Sequence, residues 1–337
     1  MNLPYLMRLW CLCLASFFLL HLALGLLVSL TAPWVIRTAF RMEACLSARL
    51  LLALRLLPAG LAGLVVAGIC TPSYLWLEPD ASAEEVGWGC RAAALLGLAV
   101  LGVSVARGLG AYRRSNHFVR QCERRSRKTR MGGGALPVCV VTGEAPLVAL
   151  TGIFRQRLMI SQLVKRALSP QQLTAVLRHE RAHGLSRDNL KRLLILLSPG
   201  LLPFFRGFAG LERAWAVAAE WAADDRATEG NRRRALSLAS ALVRVARLNA
   251  PQPSSQMASL MALQNAPLLA TSLLADAAGL GARVDRLLRP TPQRQEVRSS
   301  PILKATAGLT LVAGMAALMM QPAMLHSVHE LLEDLIR

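Results

Sequence analysis

The chain has 337 residues, of which 54% are hydrophobic, and its 39 Lys and Arg outnumber its 20 Asp and Glu to give a formal net charge of +19. The apolar residues come in blocks long enough to cross a bilayer, which excludes an ordinary soluble domain. The basic excess would suit phosphate contacts, but the chain lacks the interleaved aromatic residues that stack on bases, and arginines beside membrane segments bind anionic lipid head groups. We therefore expect a membrane protein that does not bind nucleic acid directly.

Four segments are predicted to span the bilayer. They are approximately Leu9–Leu30, Leu50–Cys70, Ala92–Gly110 and Ile302–Met324. A fifth apolar stretch, Leu193–Phe208, is interrupted by prolines and a glycine, which favours a membrane-dipping hairpin or a buried loop over a full span. The prediction divides the chain into an N-terminal membrane domain (residues 1–112), a second domain (113–300), and a C-terminal membrane helix with a short tail (301–337).

The distribution of charge predicts the orientation of these spans. Residues 71–89 hold four acidic and no basic side chains, whereas residues 113–130 hold eight basic side chains and one glutamate. Because basic loops stay on the cytoplasmic side, the 71–89 loop is expected outside and the 113–300 domain in the cytoplasm. The excess of Arg over Lys indicates a GC-rich bacterium, so the expected location is the bacterial inner (cytoplasmic) membrane.

The seven cysteines differ in their predicted surroundings. Cys70 and Cys90 bracket the outer loop and are the candidates for a disulfide if that side is oxidising, while Cys122 and Cys139 are expected to stay reduced in the cytoplasm. No cysteine has metal-ligand spacing with a histidine, so each is otherwise interpreted as a small apolar side chain.

One short motif carries most of the chemical information. The residues from His179 to His183 read HExxH, and Ser169–Gln172 upstream has the form of a capping box with Pro170 at the first helical position. The motif is therefore predicted on a helix, where histidines four residues apart share one face and can both reach one Zn²⁺. Glu180 beside them can take a proton from a water.

A peptidase zinc needs a third protein ligand and an open position for water. Glu220 is the candidate, on a second helix expected within Leu211–Leu248, which is rich in Ala, Leu and Arg and has no proline. Asp224, one turn further on, and Asp188, five residues past the motif, are candidates to accept the free N–H of a ligating histidine. A zinc site of purely structural use remains the alternative.

Two short β-rich runs precede the motif helix. Leu136–Val141 and about Leu158–Gln162 are separated by glycines and a proline, so a small sheet is expected beside that helix.

The segments HERAHGLSRDN (179–189) and EWAADDRA (220–227) together resemble the gluzincin membrane peptidases of the BlaR/MecR antirepressor family and, more distantly, the HtpX-like and CAAX prenyl endopeptidases. The similarity extends to Gly152–Ile160 and to Arg283–Leu288, and it covers roughly residues 90–325. Two features depart from the family: Arg181 stands where an apolar residue is common, and the large extracellular sensor domain of the antirepressors has no counterpart in these 337 residues.

The resemblance implies a mainly α membrane protein whose 113–300 domain is a cytoplasmic α+β zinc metalloendopeptidase with one Zn²⁺. It implies His179, His183 and Glu220 as zinc ligands and Glu180 as the catalytic base. In gluzincins an edge strand of the sheet pairs with the extended substrate, and the segment expected along this cleft is Thr151–Ile160. The substrate-binding candidates in it are Thr151, Gly152, Ile153 and Phe154, and a merely structural hairpin is the alternative. The residue that stabilises the oxyanion stays open, with Arg283 as one candidate.

The resemblance also bears on the substrate. A cytoplasmic regulator such as a repressor, cleaved in response to an outside signal, is the expectation. The signal would come through the 71–89 loop, the short C-terminal tail or a partner protein. Quality control of membrane proteins, as in the HtpX-like enzymes, and a nonenzymatic membrane scaffold with a structural zinc are the alternatives.

Overall fold

The computed structural model describes residues 3–77, 86–124, 126–129, 137–142, 146–200, 207–248, 271–272 and 279–289, together with residues 327 and 330. Within these ranges the chain is mainly helical and carries one small mixed sheet. The expected fold class, a helical membrane-type protein with an α+β domain, is confirmed.

Three long helical stretches form the N-terminal part. Helix α1 spans Leu3–Ala39; α2 spans Ala44–Val65 and continues through a π-helical turn, Val66–Cys70, into α3, Thr71–Leu77; α4 spans Trp88–Arg124. The stretches Tyr5–Ala39, Ala44–Leu77 and Trp88–Arg124 are long and apolar enough to cross a membrane. They contain the first three predicted spans, whereas the fourth, Ile302–Met324, lies outside the described residues.

The three stretches pack closely inward and expose apolar side chains outward. Gly97 of α4 approaches α1 so closely that a Cβ there would lie 2.6 Å from the carbonyl oxygen of Leu14. Large apolar side chains more than half exposed include those of Trp10, Leu30, Trp34, Leu95 and Val103. An outward apolar face of this kind is suited to contact with lipid.

The sheet has five strands in the order β1-β2-β4-β3-β5. The strands are β1, Ser126–Thr129; β2, Val138–Val141; β3, Val148–Thr151; β4, Arg157–Ser161; and β5, Thr271–Ser272. Strands β2 and β4 pair in parallel, and the other neighbours are antiparallel. The two predicted β-rich runs correspond to β2 and β4, while β3 was not expected as a separate strand.

Six further helices complete the described fold. They are α5, Gln162–Ala167; α6, Pro170–Ser186; α7, Asp188–Leu197; α8, Gly207–Thr228; α9, Arg232–Leu248; and α10, Leu280–Leu288. The helix expected within Leu211–Leu248 to carry Glu220 and Asp224 is α8, and the remainder of that region forms α9, because the chain breaks at Glu229 and Gly230. These two residues have φ angles of 47° and 69°, and a left-handed conformation ends a helix.

Helix α6 begins as the sequence predicts. The Ser169 hydroxyl accepts a hydrogen bond from the Gln172 N–H (3.3 Å), and the Gln172 side chain accepts one from the Ser169 N–H (3.0 Å). Pro170 occupies the first turn, and the helix ends at Arg187, which has a φ angle of 53°. The HExxH motif therefore lies in the last two turns of a well-capped helix.

Two apolar clusters hold these elements together. One, here called the sheet core, joins β3, β4, α6 and α9 through residues that include Leu150, Ile160, Val176, Leu238 and Leu242. The other, the membrane-side core, joins α1, α2 and α8 through residues that include Val28, Leu51, Phe208, Leu211 and Trp215. Helix α8 enters both clusters, since Ala227 near its end belongs to the sheet core.

The apolar stretch 193–208 includes the end of α7 and the beginning of α8. A Cβ on Gly108 of α4 would lie 2.3 Å from the Leu197 side chain, and a Cβ on Gly207 would lie 2.6 Å from the Cα atom of Ser29 in α1. The two helix ends that flank residues 201–206 therefore pack tightly against helices of membrane-spanning length.

The seven cysteines are all free. The predicted Cys70–Cys90 pair is not formed, and the thiol beside Cys90 is that of Cys11, with the two Sγ atoms 3.9 Å apart. Cys70 and Cys90 belong to one apolar cluster, against which Cys11 of α1 packs.

Candidate metal centre

Helix α6 brings the two motif histidines together. Because His179 and His183 are four residues apart, they project from one face, and their Nε2 atoms lie 3.1 Å from each other. Both side chains are buried, with exposed fractions of 0% and 1%. Two imidazole nitrogens thus point at the same small volume inside the protein.

The third side chain comes from α8. Glu220 places Oε2 at 3.4 Å from His179 Nε2 and Oε1 at 3.6 Å from His183 Nε2. One ligand atom from each of the three residues falls within 4.8 Å of the other two, and the described residues contain no other such group of three metal-binding side chains. The two sequence segments singled out above, HERAHGLSRDN (179–189) and EWAADDRA (220–227), therefore meet in space.

Each histidine is held from behind by a different aspartate. His179 Nδ1 lies 2.9 Å from Asp224 Oδ1, and His183 Nδ1 lies 2.8 Å from Asp188 Oδ2. An aspartate that accepts a hydrogen bond fixes the ring proton on Nδ1, so the lone pair is left on Nε2. Sequence reasoning offered Asp188 and Asp224 as alternatives, whereas the structure places one behind each histidine.

This arrangement can be tested for its fit to a metal ion. With both protons on Nδ1, two Nε2 lone pairs and a carboxylate converge without a donor between them, which is unfavourable in a buried site. A cation among the three atoms removes the conflict, and two imidazoles with one carboxylate are a donor set that Zn²⁺ accepts while leaving a fourth position open. The residues present therefore fit zinc.

The pKa shifts of the ligand side chains agree with this conclusion. Burial alone would lower the pKa of His183, but the charge of Glu220 and the hydrogen bond to Asp188 raise it to about 10. For His179, burial also acts to lower the pKa, and the contacts with Asp224 and Glu220 outweigh it, so the pKa is raised. Burial would raise the pKa of Glu220, yet the two histidines hold it well below its usual value. The cluster strongly favours positive charge at its centre.

Arg283 of α10 holds two of the acidic groups in place. Its Nε and Nη2 atoms donate to the two carboxylate oxygens of Asp224 at 2.9 and 2.7 Å, and Nη1 lies 3.1 Å from Glu220 Oε2. Arg283 is 4% exposed. Since all three of its nitrogens face these carboxylates, its role is to position them, and it is not placed as a separate oxyanion donor.

Two other basic side chains lie at the edge of the metal-binding cluster. Lys191 Nζ is 2.8 Å from Asp188 Oδ1, and Arg192 Nη2 is 4.0 Å from Glu220 Oε1. Their side chains are 28% and 19% exposed, so water screens their charge more than that of a buried arginine. The buried carboxylates therefore outnumber the buried cations among the described residues, which again favours a bound divalent ion.

Glu180 has an environment different from that of Glu220. It is fully buried, and its Oε2 accepts a hydrogen bond from the Leu150 N–H at 3.1 Å, while Oε1 has no hydrogen-bond partner among the described residues. Burial raises the pKa of Glu180, and the nearby histidines only partly oppose this shift. A carboxylate with one oxygen anchored, the other open and an increased proton affinity is suited to accept a proton.

The predicted substrate-binding residues lie beside this site but not on an edge strand. Thr151 is the last residue of β3, and Gly152, with a φ angle of 87°, begins the turn toward β4. Gly152, Ile153 and Phe154 line a groove of about 410 Å³ next to α4, and Phe154 is 79% exposed. The edge-strand expectation is wrong for the Leu158–Ile160 part, because β4 lies between β2 and β3 in the sheet.

The free side of β3 is also partly occupied. Ala149 and Leu150 pair with Ser272 and Thr271 of β5. An incoming extended peptide would compete for these two positions. The structural-hairpin alternative agrees with the packing of residues 151–157, because the Thr151 hydroxyl donates to the Arg157 carbonyl oxygen at 3.2 Å.

Sequence reasoning missed Asn189. Its side-chain amide donates to the carbonyl oxygens of Leu150 (3.0 Å) and Gly152 (3.1 Å), which ties the start of α7 to the strand that binds Glu180. Its position directly after Asp188 was the only signal available. The positioning role of Arg283 was missed as well, although the segment around it had been noted.

Part of the chain is similar to a known protein family. Residues 137–278, which include the two histidines, Glu180 and Glu220, match the model of a family described as Peptidase family M48, a family of zinc metallopeptidases. None of the curated proteins matches the chain. The match covers less than half of the chain and does not single out the antirepressor family. Together with the His-His-Glu cluster and the three apolar helical stretches, it supports a membrane metallopeptidase.

Proposed function

We propose that this protein is a membrane-bound zinc metalloendopeptidase that hydrolyses peptide bonds at the cytoplasmic face of the bacterial inner membrane. The observation that carries the proposal is the convergence of His179, His183 and Glu220, each buried and held from behind, with the open oxygen of Glu180 beside them. A structural zinc site would not need a buried carboxylate with raised pKa next to its ligands.

The chain's own residues have distinct roles in this proposal. His179, His183 and Glu220 would hold Zn²⁺, which when bound supplies a Lewis acid that makes a water more acidic and polarises the peptide carbonyl. Glu180 takes a proton from the attacking water at its open Oε1 atom. It then gives that proton to the nitrogen of the leaving amine. Asp188 and Asp224 keep both imidazoles in the tautomer that presents Nε2.

The packing of α8 supports a site close to the membrane surface. Gly207 at its start contacts Ser29 of α1, and the ring centre of Trp221, next to Glu220, lies 5.2 Å from that of Phe40, directly after the end of α1. From Gly207 to Glu220 a helix rises about 20 Å, and from Ser29 to Phe40 it rises about 16 Å. The two helices therefore run alongside each other in the same direction, and Glu220 lies near the level at which α1 ends.

The cytoplasmic orientation rests on charge. The acidic 71–89 segment reaches the start of α4 and the basic 113–130 segment contains its end, and the positive-inside rule places the basic end in the cytoplasm. Alkaline phosphatase, which is active only outside the cytoplasm, should be active when fused after residue 80 and inactive when fused after residue 130. The reverse pattern would contradict the orientation.

The proposed substrate is a regulatory protein, such as a repressor, that reaches the cytoplasmic face of the membrane. The resemblance to the antirepressor peptidases supports this choice, and a partner protein would then supply the signal. Quality control of membrane proteins is the alternative substrate class. Comparing the proteomes of cells that carry the wild type or Glu180→Gln decides between them, because the inactive variant should preserve either an intact regulator or damaged membrane proteins.

The enzymatic proposal itself is tested with purified full-length protein in detergent, loaded with zinc and given labelled casein. Glu180→Gln should bind zinc normally and lose cleavage by about 10²-fold or more, because a positioned base contributes that much. Glu229→Gln is the matched control, since Glu229 is highly exposed and pairs with Arg234. Equal cleavage by wild type and Glu180→Gln would show that this site is not responsible. Tight zinc binding with no cleavage by the wild type would favour the scaffold alternative.

A further inference from the structure

Arg55 in α2 is a buried charge outside the metal centre. This side chain is 1% exposed and lies within the apolar stretch Ala44–Leu77. It is six residues past Arg49, the last exposed basic residue before it on the helix, and so about 9 Å further along the axis. An arginine at such a position is costly unless each of its donors has a partner, and buried charges of this kind usually serve a function.

The hydrogen-bond partners of Arg55 all lie between residues 195 and 212, in the segment that matches the peptidase family. Its Nε donates to Glu212 Oε1 at 2.7 Å, near the start of α8. Its Nη1 and Nη2 atoms donate to the Ser198 hydroxyl (3.0 Å) and to the carbonyl oxygens of Ile195, Ser198 and Pro199 (3.3–3.4 Å). The guanidinium also lies 4.5 Å from the ring centre of Phe208. One side chain thus binds the end of α7 and the beginning of α8.

The chemistry of these partners explains why an arginine is used. The last carbonyl groups of a helix have no partner inside the helix and carry the negative end of its dipole. The planar guanidinium offers five donors in a fixed arrangement, so it can satisfy several carbonyls and a carboxylate at once. A lysine has one nitrogen and cannot span the same set of acceptors.

The two helices that Arg55 joins carry the two halves of the metal centre. Helix α7 begins with Asp188, which holds His183, and with Asn189, which holds the strand that anchors Glu180. Helix α8 carries Glu220 and Asp224. Since both helices are rigid over these short distances, their separation at Arg55 affects the separation of the ligands at the other end.

We propose that Arg55 is a positioning residue through which membrane helix α2 sets the relative placement of α7 and α8, and thereby of the histidine and glutamate ligands. This inference rests on the proposed function and adds a route by which a change in the membrane helices reaches the site. Arg55 does not contact substrate or zinc. It acts through the two helix ends that it binds.

The experiment must separate positioning from simple stabilisation. In Arg55→Lys the charge and the pair with Glu212 can persist while the carbonyl contacts are lost, so the zinc dissociation constant should rise by about tenfold or more and kcat should fall by a similar factor. KM should change little, because no substrate contact is removed. Arg49→Lys is the control on the same helix and should leave all three quantities unchanged.

A double variant gives the decisive result. Arg55→Met with Glu212→Leu replaces the ion pair by apolar side chains, an exchange that is often neutral or stabilising for the fold. Positioning predicts that the thermal transition rises above that of Arg55→Met alone, which leaves Glu212 without its partner, while zinc affinity and kcat remain tenfold or more below the wild-type values. If zinc affinity and kcat recover together with the transition, Arg55 is only structural and the inference is overturned.

If the proposed peptidase function is wrong, the measurements differ from those expected if only the role of Arg55 is wrong. If the wild type binds zinc but cleaves nothing, the peptidase assignment fails, yet the zinc dissociation constants of the Arg55 variants still report on positioning. If the wild type cleaves and both variants match it in zinc affinity and kcat, only the present inference fails.

Discussion

The two aspartates behind the histidines offer a sharp test of the site. Asp224→Asn keeps an oxygen for His179 but presents an amide N–H₂ group to Arg283, so two donors face each other in a buried place. Asp188→Asn is its matched counterpart, because Asp188 holds His183 in the same way but its second partner is Lys191. We expect both variants to weaken zinc binding by about 10–100-fold, since each removes the charge behind a ligand histidine.

The metal-free proteins should differ in stability. Removing one partner of a buried ion pair costs about 3–5 kcal/mol, and the lower end applies to Asp224→Asn because Arg283 keeps its contact with Glu220 at 3.1 Å. Lys191 is 28% exposed and can turn to water, so Asp188→Asn should cost about 1 kcal/mol. The difference of about 2 kcal/mol corresponds to roughly 4–8 °C in the thermal transition of a domain of this size.

The assay uses the full-length protein in detergent. Zinc affinity is measured by competition with a chromophoric chelator, and the transition is measured by fluorescence after treatment with EDTA. If Asp188→Asn lowers the metal-free transition as much as Asp224→Asn, the Arg283 contact is not the source of the difference. If neither variant weakens zinc binding, the argument that the aspartates fix the histidine tautomers is wrong.

Further predictions concern pH and packing. The pKa of His183 is raised to about 10, so below that pH zinc must displace its proton, and zinc affinity should increase by about tenfold per pH unit between pH 7 and 9. A flat profile in chelator competition would contradict the raised pKa. The pKa of His183 in the folded, metal-free protein lies above its ordinary value, so the bound proton stabilises the fold. This stabilisation is fully present below about pH 6.5 and should be lost as the pH rises toward 10. Thermal unfolding of the metal-free protein across that pH range measures the loss. Gly207→Ala should destabilise the fold by about 1–3 kcal/mol, because its Cβ would lie 2.6 Å from the Cα atom of Ser29. Gly60→Ala is the control in the same unfolding assay and should be neutral or stabilising, because no atom lies within 4 Å of its Cβ.

The parts of the structure that the sequence predicted are those determined locally. The capping box at Ser169 and Gln172 involves residues three apart, so the start of α6 could be read from the chain alone. The first three membrane segments follow from composition, which needs no knowledge of packing. The shared face of His179 and His183 follows from helix geometry once the helix is assigned.

The parts that were missed depend on contacts between residues far apart in the chain. Arg283 reaches Asp224 across 59 positions, and Asn189 reaches Leu150 across 39. Neither contact leaves a periodic pattern, because each needs only one side chain on each element. The end of α8 did have a local signal in Gly230, but the alanine-rich composition on both sides left the bounds of the predicted helix open.

The position of α8 explains why the membrane helices are more than an anchor for the peptidase. Both histidines belong to α6, which packs in the sheet core, whereas Glu220 belongs to a helix whose first two-thirds pack in the membrane-side core through residues such as Leu211 and Trp215. The ligand set therefore joins two packing units, and its geometry depends on how they meet. The segment that matches the peptidase family, residues 137–278, contains all three ligands. It does not contain α1 and α2, which pack against α8, or Arg283, which contacts Glu220. A fragment limited to that segment would keep the residues of the site and lose what places them.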